Sequence, residues 1–210
     1  MPDAVIWGAS GGIGRALVAL LKNEGWRVLA AARREEAVPE GTDFNCFFDL
    51  QRPDTVRDAA MFIAQQTDGA DLMVYAAGAI VAAPIDTLSP QDWSQVLSAN
   101  LTGPYLVAHY ALNLLREDGH AVFIGAYVDR VTLPKFGAYA AAKAGLETLV
   151  SVLQKEHRRL RFTVVRPPAV ATSFWDNVPF NLPKNALTAE AVAQAIVEHH
   201  RNGSKGPLEL

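Results

Sequence analysis

Short apolar runs alternate with longer amphipathic stretches along the whole chain. Runs that are apolar on consecutive residues predict buried strands, at residues 4–7, 28–32, 46–48, 72–76, 121–124 and 162–165. The stretches between them predict helices, at about 12–24, 53–67, 90–116, 136–159 and 189–200. This alternation predicts a doubly wound α/β fold (Rossmann fold), with a mainly parallel sheet of about seven strands and helices on both faces.

The chain has no internal repeat, low-complexity segment or linker rich in proline and glycine. Open α/β domains often reach this length, so we expect residues 1–210 to form a single domain. The irregular stretch 172–187 contains Pro179 and Pro183 and predicts a loop. Residues 206–210 leave little room for a seventh strand.

Charge and composition argue against several classes of partner. The chain has 19 basic and 22 acidic residues, a formal charge of −3, and no run of Lys or Arg. Nucleic acid and anionic membranes are therefore not expected as partners. No apolar stretch reaches the ~18 residues of a membrane span. A strand-like run begins within a few residues of the N-terminus and leaves no room for a signal peptide, so we expect a cytoplasmic protein.

The cysteine and the histidines give no sign of a metal site. Cys46 is the one cysteine, and its phenylalanine neighbours favour a buried apolar role. No group of Cys, His and acidic residues has the spacing of metal ligands. His199 and His200 lie on the last predicted helix, where we expect them to be solvated. The sequence therefore predicts no bound metal.

A glycine-rich loop follows the first predicted strand and opens the first predicted helix. Its sequence is Gly8-Ala9-Ser10-Gly11-Gly12-Ile13-Gly14. In such loops one glycine permits the turn, one lets the backbone approach a pyrophosphate, and one lets the helix pack close to the strand. The helix N-terminus then presents unpaired amides to the phosphate. Because strand, loop and helix occur in this order, we favour dinucleotide binding over a purely structural turn.

The side chains at the end of the second predicted strand indicate whether NAD(H) or NADP(H) binds. An acidic side chain there would bond the ribose hydroxyls of NAD and repel a 2′-phosphate. The chain has Arg33 and Arg34 instead, and guanidinium groups make bidentate contacts with phosphate. Alternatively, Arg33 and Arg34 are solvated and their charges are balanced by Glu35 and Glu36. We therefore expect NADP(H) rather than NAD(H).

Tyr139 and Lys143 lie four residues apart on a predicted helix, so their side chains share one face. An ammonium beside a phenol favours the phenolate, and we expect it to lower the pKa of Tyr139. The tyrosine could then exchange a proton with a substrate near neutral pH. The alternative is an ordinary amphipathic helix that carries one Tyr and one Lys.

Several motifs, in order along the chain, resemble those of the short-chain dehydrogenase/reductase family. They are the glycine loop, Asp49, Leu72-Met73-Val74-Tyr75-Ala76-Ala77-Gly78, Trp93 followed by Asn100-Leu101-Thr102-Gly103, Tyr139 with Lys143, and Arg166-Pro167-Pro168 through Thr172. The resemblance covers nearly the whole chain. It implies reversible hydride transfer between NADP(H) and a small carbonyl or alcohol substrate.

The resemblance also implies a role for each matching residue. Tyr139 would be the general acid/base, Lys143 would hold the nicotinamide ribose, and Asn100 would kink its helix and hold a proton-relay water. Asp49 would contact the adenine amine, and Thr172 the nicotinamide carboxamide. The implied cofactor-binding residues are Gly8, Ser10, Gly12, Ile13, Gly14, Arg33, Arg34, Asp49, Leu50, Ala77, Gly78, Lys143, Pro167 and Thr172.

Three departures from the family pattern bear on activity. The serine expected 13 residues before the tyrosine is Ala126, so either Tyr127 supplies a hydroxyl, turnover is slow, or catalysis is lost. Tyr75 and Ala76 replace paired asparagines, a change we expect to loosen a structural hydrogen-bond network. Only residues 172–187 are available as a substrate lid, so we expect an open site or one completed by a partner subunit.

Substrate contacts are expected from Ala126, Tyr127, Phe136, Phe174 and Trp175. For the aromatic residues, packing in the core or lid is the alternative. The predicted helices 90–116 and 136–159 carry apolar residues on more than one face, and family members commonly pair these helices. We therefore expect a homodimer or homotetramer. The apolar residues concerned include Leu112, Leu114, Leu115, Leu149 and Leu153.

A rival interpretation is a protein of another class, an NADP(H)-binding sensor or scaffold with little turnover. Ala126 is its main support. Tyr139, Lys143 and Asn100 favour the enzyme, because a pure binding protein has no evident need of the full set. An isomerase or dehydratase that uses the same tyrosine is a third interpretation, since related folds host varied chemistry.

Overall fold

In the computed structural model, which describes residues 1–34 and 37–210, seven strands form one sheet in which every strand pair is parallel. The order across this sheet is β3-β2-β1-β4-β5-β6-β9, and β7 and β8 form a separate pair. The strands are β1 (Asp3–Trp7), β2 (Arg27–Ala32), β3 (Phe44–Phe47), β4 (Ala70–Tyr75), β5 (Leu115–Ile124), β6 (Arg161–Arg166), β7 (Val170–Ala171), β8 (Leu187–Thr188) and β9 (Leu208–Glu209).

Helices cover both faces of the sheet. They are α1 (Gly12–Asn23), α2 (Pro53–Ala64), α3 (Pro90–Leu97), α4 (Gly103–Ala111), α5 (Val128–Val131), α6 (Gly137–Glu156) and α7 (Ala189–Arg201). In β1, Val5 and Trp7 pack with α2, α4 and α6, whereas Ala4 and Ile6 pack with α1 and α7. Successive side chains of a strand point to opposite faces, and both faces are buried, so the strand sequences are apolar throughout. The predicted fold class is confirmed.

The predicted helix 90–116 is wrong in its continuity and in its end. It divides into α3, a π-helical turn (Ser98–Thr102), α4 and a 3-10 turn (Leu112–Leu114). The chain then enters β5 at Leu115, which pairs with Ala70 of β4. β5 is therefore longer than the predicted strand 121–124. An apolar run such as Leu112–Leu115 fits a buried helix end or a strand start, and periodicity alone does not separate the two.

The irregular segment 172–187 is held together at its base. Val170 pairs with Leu187 and Ala171 with Thr188, so β7 and β8 bring the two ends of the segment side by side. Within it, Ser173–Asn177 forms a 3-10 turn. The sequence predicted the loop but not this closure, because strands of two residues leave no periodic pattern.

His199 and His200, expected to be solvated rather than metal ligands, are half-buried and contact other side chains. The ring of His200 stacks on His120, with 5.5 Å between centroids, and their Nδ1 atoms lie 3.3 Å apart. Thr163 Oγ1 lies 2.9 Å from Nε2 of His120 and 3.0 Å from Nε2 of His199. Three of the five histidines therefore meet where α7 packs beside β5 and β6.

Within residues 1–34 and 37–210, no group of three or more His, Cys, Asp or Glu side chains could hold a metal ion. None of the helices in this part of the chain could span a bilayer. Cys46 is buried, as expected, and its Sγ lies 3.6 Å from the carbonyl oxygen of Ala30.

The leucines named for oligomerisation pack in the interior instead. Four are buried, and Leu149 is partly buried against the same core; the buried ones are Leu112, Leu114, Leu115 and Leu153. Apolar side chains on the outer faces of the predicted helices are Trp93 of α3, Tyr105 of α4 and Val152 of α6, which are 38%, 50% and 43% exposed.

Candidate active site

A cavity of about 1010 Å³ lies outside the carboxyl ends of the strands. The strand order reverses between β1 and β4, and in open α/β sheets ligands bind at such a point. Every site residue predicted from the sequence lines this cavity except Gly14. The structure thus brings together the glycine loop, Arg33, Arg34, Asn100, Tyr139 and Lys143, which are far apart in sequence.

Close packing explains the glycines of the loop after β1. Gly8 has a φ of +86°, and a Cβ on it would lie 2.5 Å from the amide nitrogen of Ala77. A Cβ on Gly14 would overlap the carbonyl oxygen of Gly8, and one on Gly12 would overlap the side chain of Thr172. Gly14 therefore packs α1 against the loop, while Gly12 brings the loop against the start of the segment 172–187.

The N-terminus of α1 opens towards the same cavity. Its N-cap residue is Gly11, the helix makes no side-chain capping bond, and its first turn holds no acidic residue. Four N–H groups at a helix start lack partners within the helix, and the positive end of the helix dipole favours an anion there. These residues fit the pyrophosphate of a dinucleotide.

Arg33 and Arg34 follow β2 and are exposed at the edge of the cavity. Neither guanidinium has an ion-pair partner among the described residues. Glu35 and Glu36, the predicted alternative partners, lie outside the described residues. Asp49 also lines the cavity, and its Oδ1 accepts a hydrogen bond of 3.0 Å from the amide of Gln51.

Tyr139 and Lys143 share one face of α6, as their spacing predicts. The ammonium Nζ of Lys143 lies over the ring of Tyr139, 5.4 Å from its centroid. It also donates a 2.7 Å hydrogen bond to the carbonyl oxygen of Ile124. Burial lowers the pKa of Lys143 to about 7, against the opposing effect of Glu147. Burial raises the pKa of Tyr139, so the expectation that its pKa is lowered is wrong in direction, because desolvation penalises the phenolate.

An ion-pair network stands one helical turn from Lys143. Arg166 donates to both carboxylate oxygens of Glu147, at 2.9 and 2.8 Å. Its third bond, of 2.9 Å, goes to Glu209 of β9. Hydrogen bonding to Glu147 raises the pKa of Arg166. This network was not predicted; the spacing of four residues between Lys143 and Glu147 indicates only that these two side chains share one face of the helix.

Asn100 lies in the π-helical turn and is almost fully buried. Its Nδ2 donates to the carbonyl oxygens of Ala79 at 2.6 Å and Val96 at 2.9 Å. Its Oδ1 is buried and has no hydrogen-bond partner among the described residues. Most buried polar atoms do have a partner, so this oxygen is suited to accept a bond from a water or ligand.

Tyr75 supports the same turn from the end of β4. Its buried hydroxyl donates a 2.8 Å hydrogen bond to the carbonyl oxygen of Ala99. A Cβ on Gly103 would overlap this hydroxyl, so the turn and the tyrosine fit closely. Tyr75 therefore adds a hydrogen bond between β4 and the turn, whereas its presence was expected to loosen the network.

The cavity end beside Tyr139 holds the residues predicted for substrate contact. Ala126 is buried and lines it without a hydroxyl. The Tyr127 hydroxyl donates to the backbone oxygen of Leu210, at 3.2 Å. Phe136, Phe174 and Trp175 line the same end. Other residues that line the cavity were not predicted, because no motif gave a sign of them; among them are Arg130, Leu133 and Phe180.

The family model described as short chain dehydrogenase matches residues 3–181. The chain belongs to this family. A similar protein is the uncharacterized oxidoreductase YbbO of Escherichia coli K12, 29% identical over 84% of this chain and 68% of that protein. Another is 3beta-hydroxysteroid dehydrogenase 1 of Eggerthella lenta, 30% identical over 87% of this chain and 73% of that protein.

Solved structures of the short chain dehydrogenase type have the same fold. An alcohol dehydrogenase from the archaeon Thermococcus sibiricus, complexed with 5-hydroxy-NADP, superimposes with a TM-score of 0.90. The match covers 100% of this chain and 96% of that one, at 25% identity. Together with the family match, this makes the protein an oxidoreductase of the short-chain type.

Proposed function

We propose that the protein transfers hydride between NADP(H) and a small carbonyl or alcohol substrate, with Tyr139 as general acid/base. The observation that carries the proposal is one cavity with two different ends. The glycine loop and two arginines line one end, and Tyr139 with Lys143 lies at the other. In this proposal residues 1–210 act as one domain, and residues 172–187 form a short lid over the substrate.

The residues present fit a phosphorylated dinucleotide. The loop amides and the α1 N-terminus would hold the pyrophosphate, and Arg33 and Arg34 would hold the 2′-phosphate. Asp49 would contact the adenine, Lys143 the nicotinamide ribose and Thr172 the carboxamide. The Thermococcus sibiricus enzyme, complexed with 5-hydroxy-NADP, supports the choice of NADP(H).

Protonation is the part of the reaction that this chain's own residues perform. When bound, the reduced cofactor supplies a hydride to the carbonyl carbon and is left oxidised. Tyr139 gives its phenolic proton to the carbonyl oxygen, which completes the alcohol; oxidation runs in reverse. Burial raises the pKa of Tyr139 and so keeps the proton in place until the substrate takes it.

The phenolate that remains after proton transfer needs a nearby positive charge and a route for reprotonation. The Lys143 ammonium, 5.4 Å from the ring centroid, stabilises the phenolate by charge. Glu147 favours the charged form of that lysine. Asn100 Oδ1, which has no partner among the described residues, accepts a hydrogen bond from a water that returns the proton.

We propose a homodimer or homotetramer in the cytoplasm, acting on small molecules rather than on nucleic acid or a membrane. The exposed side chains of Trp93, Tyr105 and Val152 support self-association through the faces of α3, α4 and α6. The near balance of acidic and basic residues supports a small-molecule substrate.

A sensor or scaffold that binds NADP(H) with little turnover is the second candidate. Ala126 favours it, because removing one such hydrogen-bond donor from an active site typically costs on the order of 10²–10³ in rate. The sensor gives no account of why Tyr139, Lys143 and Asn100 meet in one cavity.

The variant Tyr139→Phe distinguishes the two candidates. We expect it to lose carbonyl reduction by about 10²-fold or more, the usual size of a general-acid contribution, because it keeps the ring but lacks the proton. Turnover of a carbonyl panel is followed by the absorbance of NADPH, and NADPH and NADH binding by calorimetry. We expect the native protein to bind NADPH more tightly than NADH, and Tyr139→Phe to bind NADPH as tightly as the native protein does.

Tyr110→Phe, on the outer helix α4, is the matched control and should behave as the native protein. Unchanged turnover in Tyr139→Phe would contradict the catalytic role of the tyrosine. NADPH binding without reduction of any carbonyl by the native protein would favour the sensor. Affinity for NADH equal to or above that for NADPH would overturn the cofactor choice.

A further inference from the structure

Four aromatic rings form a continuous wall at the substrate end of the cavity. Phe136 lies 6.4 Å from Tyr139 and 5.7 Å from Phe180, and Phe174 lies 5.8 Å from Tyr139, all measured between ring centroids. We call these four residues the aromatic wall. Because it includes the proposed catalytic tyrosine, a substrate whose carbonyl reaches Tyr139 must lie against it.

Exposed apolar side chains continue the aromatic wall to the mouth of the cavity. Leu133 and Phe180 line the cavity and are 45% and 50% exposed. Ile85 is 60% exposed and lies against Gly137, the first residue of α6. Single exposed apolar residues are ordinary, but a contiguous group at a cavity mouth is typical of a ligand-binding groove. The mouth therefore offers an apolar surface to the body of a substrate.

Arg130 supplies a positive charge at this end. The charged residues that line the cavity, within the described part of the chain, are Arg33, Arg34, Asp49, Arg130 and Lys143. The first three stand at the nucleotide end, and Lys143 is buried and bonded to Ile124. Among the described residues, none with an acidic side chain lines the substrate end, so Arg130 is the charged group that an arriving substrate meets there.

Arg130 is oriented and lacks a counter-charge. Its guanidinium lies over the ring of Tyr127, 4.0 Å from the centroid, a contact that attracts a cation to the ring face. The Tyr127 hydroxyl is itself bonded to Leu210. The described residues provide no carboxylate that pairs with Arg130. Its fork of N–H groups therefore remains available to an anion.

We propose that the substrate is a carbonyl compound with an apolar, preferably aromatic, body and a carboxylate, which Arg130 binds. The inference rests on the proposed function and names its substrate class. The body packs on the aromatic wall, and the carboxylate pairs with the guanidinium in the bidentate geometry that Arg favours. A neutral carbonyl compound of the same shape can pack on the aromatic wall but cannot form the ion pair with Arg130.

Benzoylformate and its methyl ester test the proposal, because the ester keeps the aromatic ketone but replaces the negative charge of the carboxylate by a methyl group. Their kcat/KM values are measured with NADPH for the native protein, Arg130→Gln and Lys135→Gln. The ratio of acid to ester should fall about tenfold or more in Arg130→Gln, the change that ~1.4 kcal/mol produces. The ester itself should stay within about twofold. Lys135→Gln removes a nearby exposed cation that does not line the cavity, and it should change neither value.

Binding of phenylacetate, which has no ketone to reduce, is measured in parallel by calorimetry on the protein with NADPH. We expect weaker binding in Arg130→Gln and at high salt, since salt screens an exposed ion pair, with phenylacetamide as the neutral control. Equal phenylacetate affinity in the native protein and Arg130→Gln would overturn the inference, even if carbonyls are reduced. If no carbonyl of the panel, these two ketones included, is reduced with NADPH or NADH, the proposed function fails, and the phenylacetate arm alone decides on the anion site.

Discussion

Ala126 and Tyr127 decide which hydroxyls can assist Tyr139. Ala126 lines the cavity where the family pattern has a serine. Tyr127, the neighbour that could replace it, donates its hydroxyl to Leu210 at 3.2 Å. A carbonyl oxygen beside Tyr139 would therefore receive no hydrogen bond from either residue in this arrangement. Slow turnover is the expected result.

Restoring the serine should accelerate the reaction. In Ala126→Ser we expect kcat to rise about tenfold or more. One preorganised donor to a developing oxyanion raises the rate by a factor on the order of 10²–10³, and we expect the introduced serine to supply part of that factor. Steady-state kinetics with the best carbonyl of a panel measure the change. Tyr127→Phe is the companion variant and should keep its kcat. A lower or unchanged kcat in a well-folded Ala126→Ser would show that the alanine is not what limits turnover.

Sequence spacing found Tyr139 and Lys143 but gave the wrong direction for the pKa of the tyrosine. The spacing of four residues places the two side chains on one face, which the structure shows. The pKa depends on burial as well, and burial is set by the packing of distant segments such as the one that holds Phe174. The Arg166–Glu147 pair escaped notice for the same reason, since 19 residues separate its members.

Elements with a strong local pattern were predicted well, and those decided by tertiary packing were not. The starts of α3 and α7 follow Ser89 and Thr188, whose side chains accept bonds of 3.0 and 3.1 Å from the amides of Asp92 and Ala191; such caps can be read locally. The break at Ser98–Thr102 is instead bonded to Tyr75, which is distant in sequence. The early start of β5 depends on pairing with Ala70.

Tyr75→Phe tests whether β4 holds the π-helical turn in place. The variant leaves the carbonyl oxygen of Ala99 without its 2.8 Å bond, and an unsatisfied buried acceptor costs about 1–3 kcal/mol. We expect a lower free energy of unfolding in urea and a lower kcat, because Asn100 follows Ala99 directly. Tyr110→Phe serves again as the comparison. Retention of both stability and kcat in Tyr75→Phe would show that the turn holds itself.

The histidine cluster joins three elements that the sequence keeps apart. His120 of β5 and His200 of α7 are 80 residues apart, and Arg161 of β6 donates to the backbone oxygen of His200 at 3.0 Å. Burial, then the charge of Arg161, lowers the pKa of His120 to about 2 and that of His200 to about 4. The pKa of His199 is lowered by the same two causes. The folded protein thus keeps these imidazoles neutral.

Acid should therefore destabilise the whole molecule. Unfolded histidines bind protons below about pH 6.5. Folded His200 does so only near pH 4 and His120 near pH 2, so the stabilisation present above pH 6.5 is lost as the pH falls towards 4. In His120→Gln the slope of unfolding free energy against pH should decrease by ~1.4 kcal/mol per pH unit between about pH 6 and 4. Urea unfolding at several pH values measures it.

His157→Gln is the matched control, since His157 is exposed, and its slope should equal that of the native protein. If His120→Gln also keeps the native slope, the buried imidazole does not account for acid sensitivity. The histidine cluster could not be predicted from the sequence, because the neighbouring His199 and His200 at the end of a helix give no indication that His120 of a strand lies beside them.

Arg166 gives the outermost strand an influence on the chemistry. β9 contributes two residues to the sheet, and short edge strands are among the first parts of a fold to open locally. When β9 frays, Arg166 loses Glu209 and pairs with Glu147 alone, so Glu147 favours the charged form of Lys143 less. The rate of reaction would then report the opening of this edge at temperatures where the rest of the sheet is still intact.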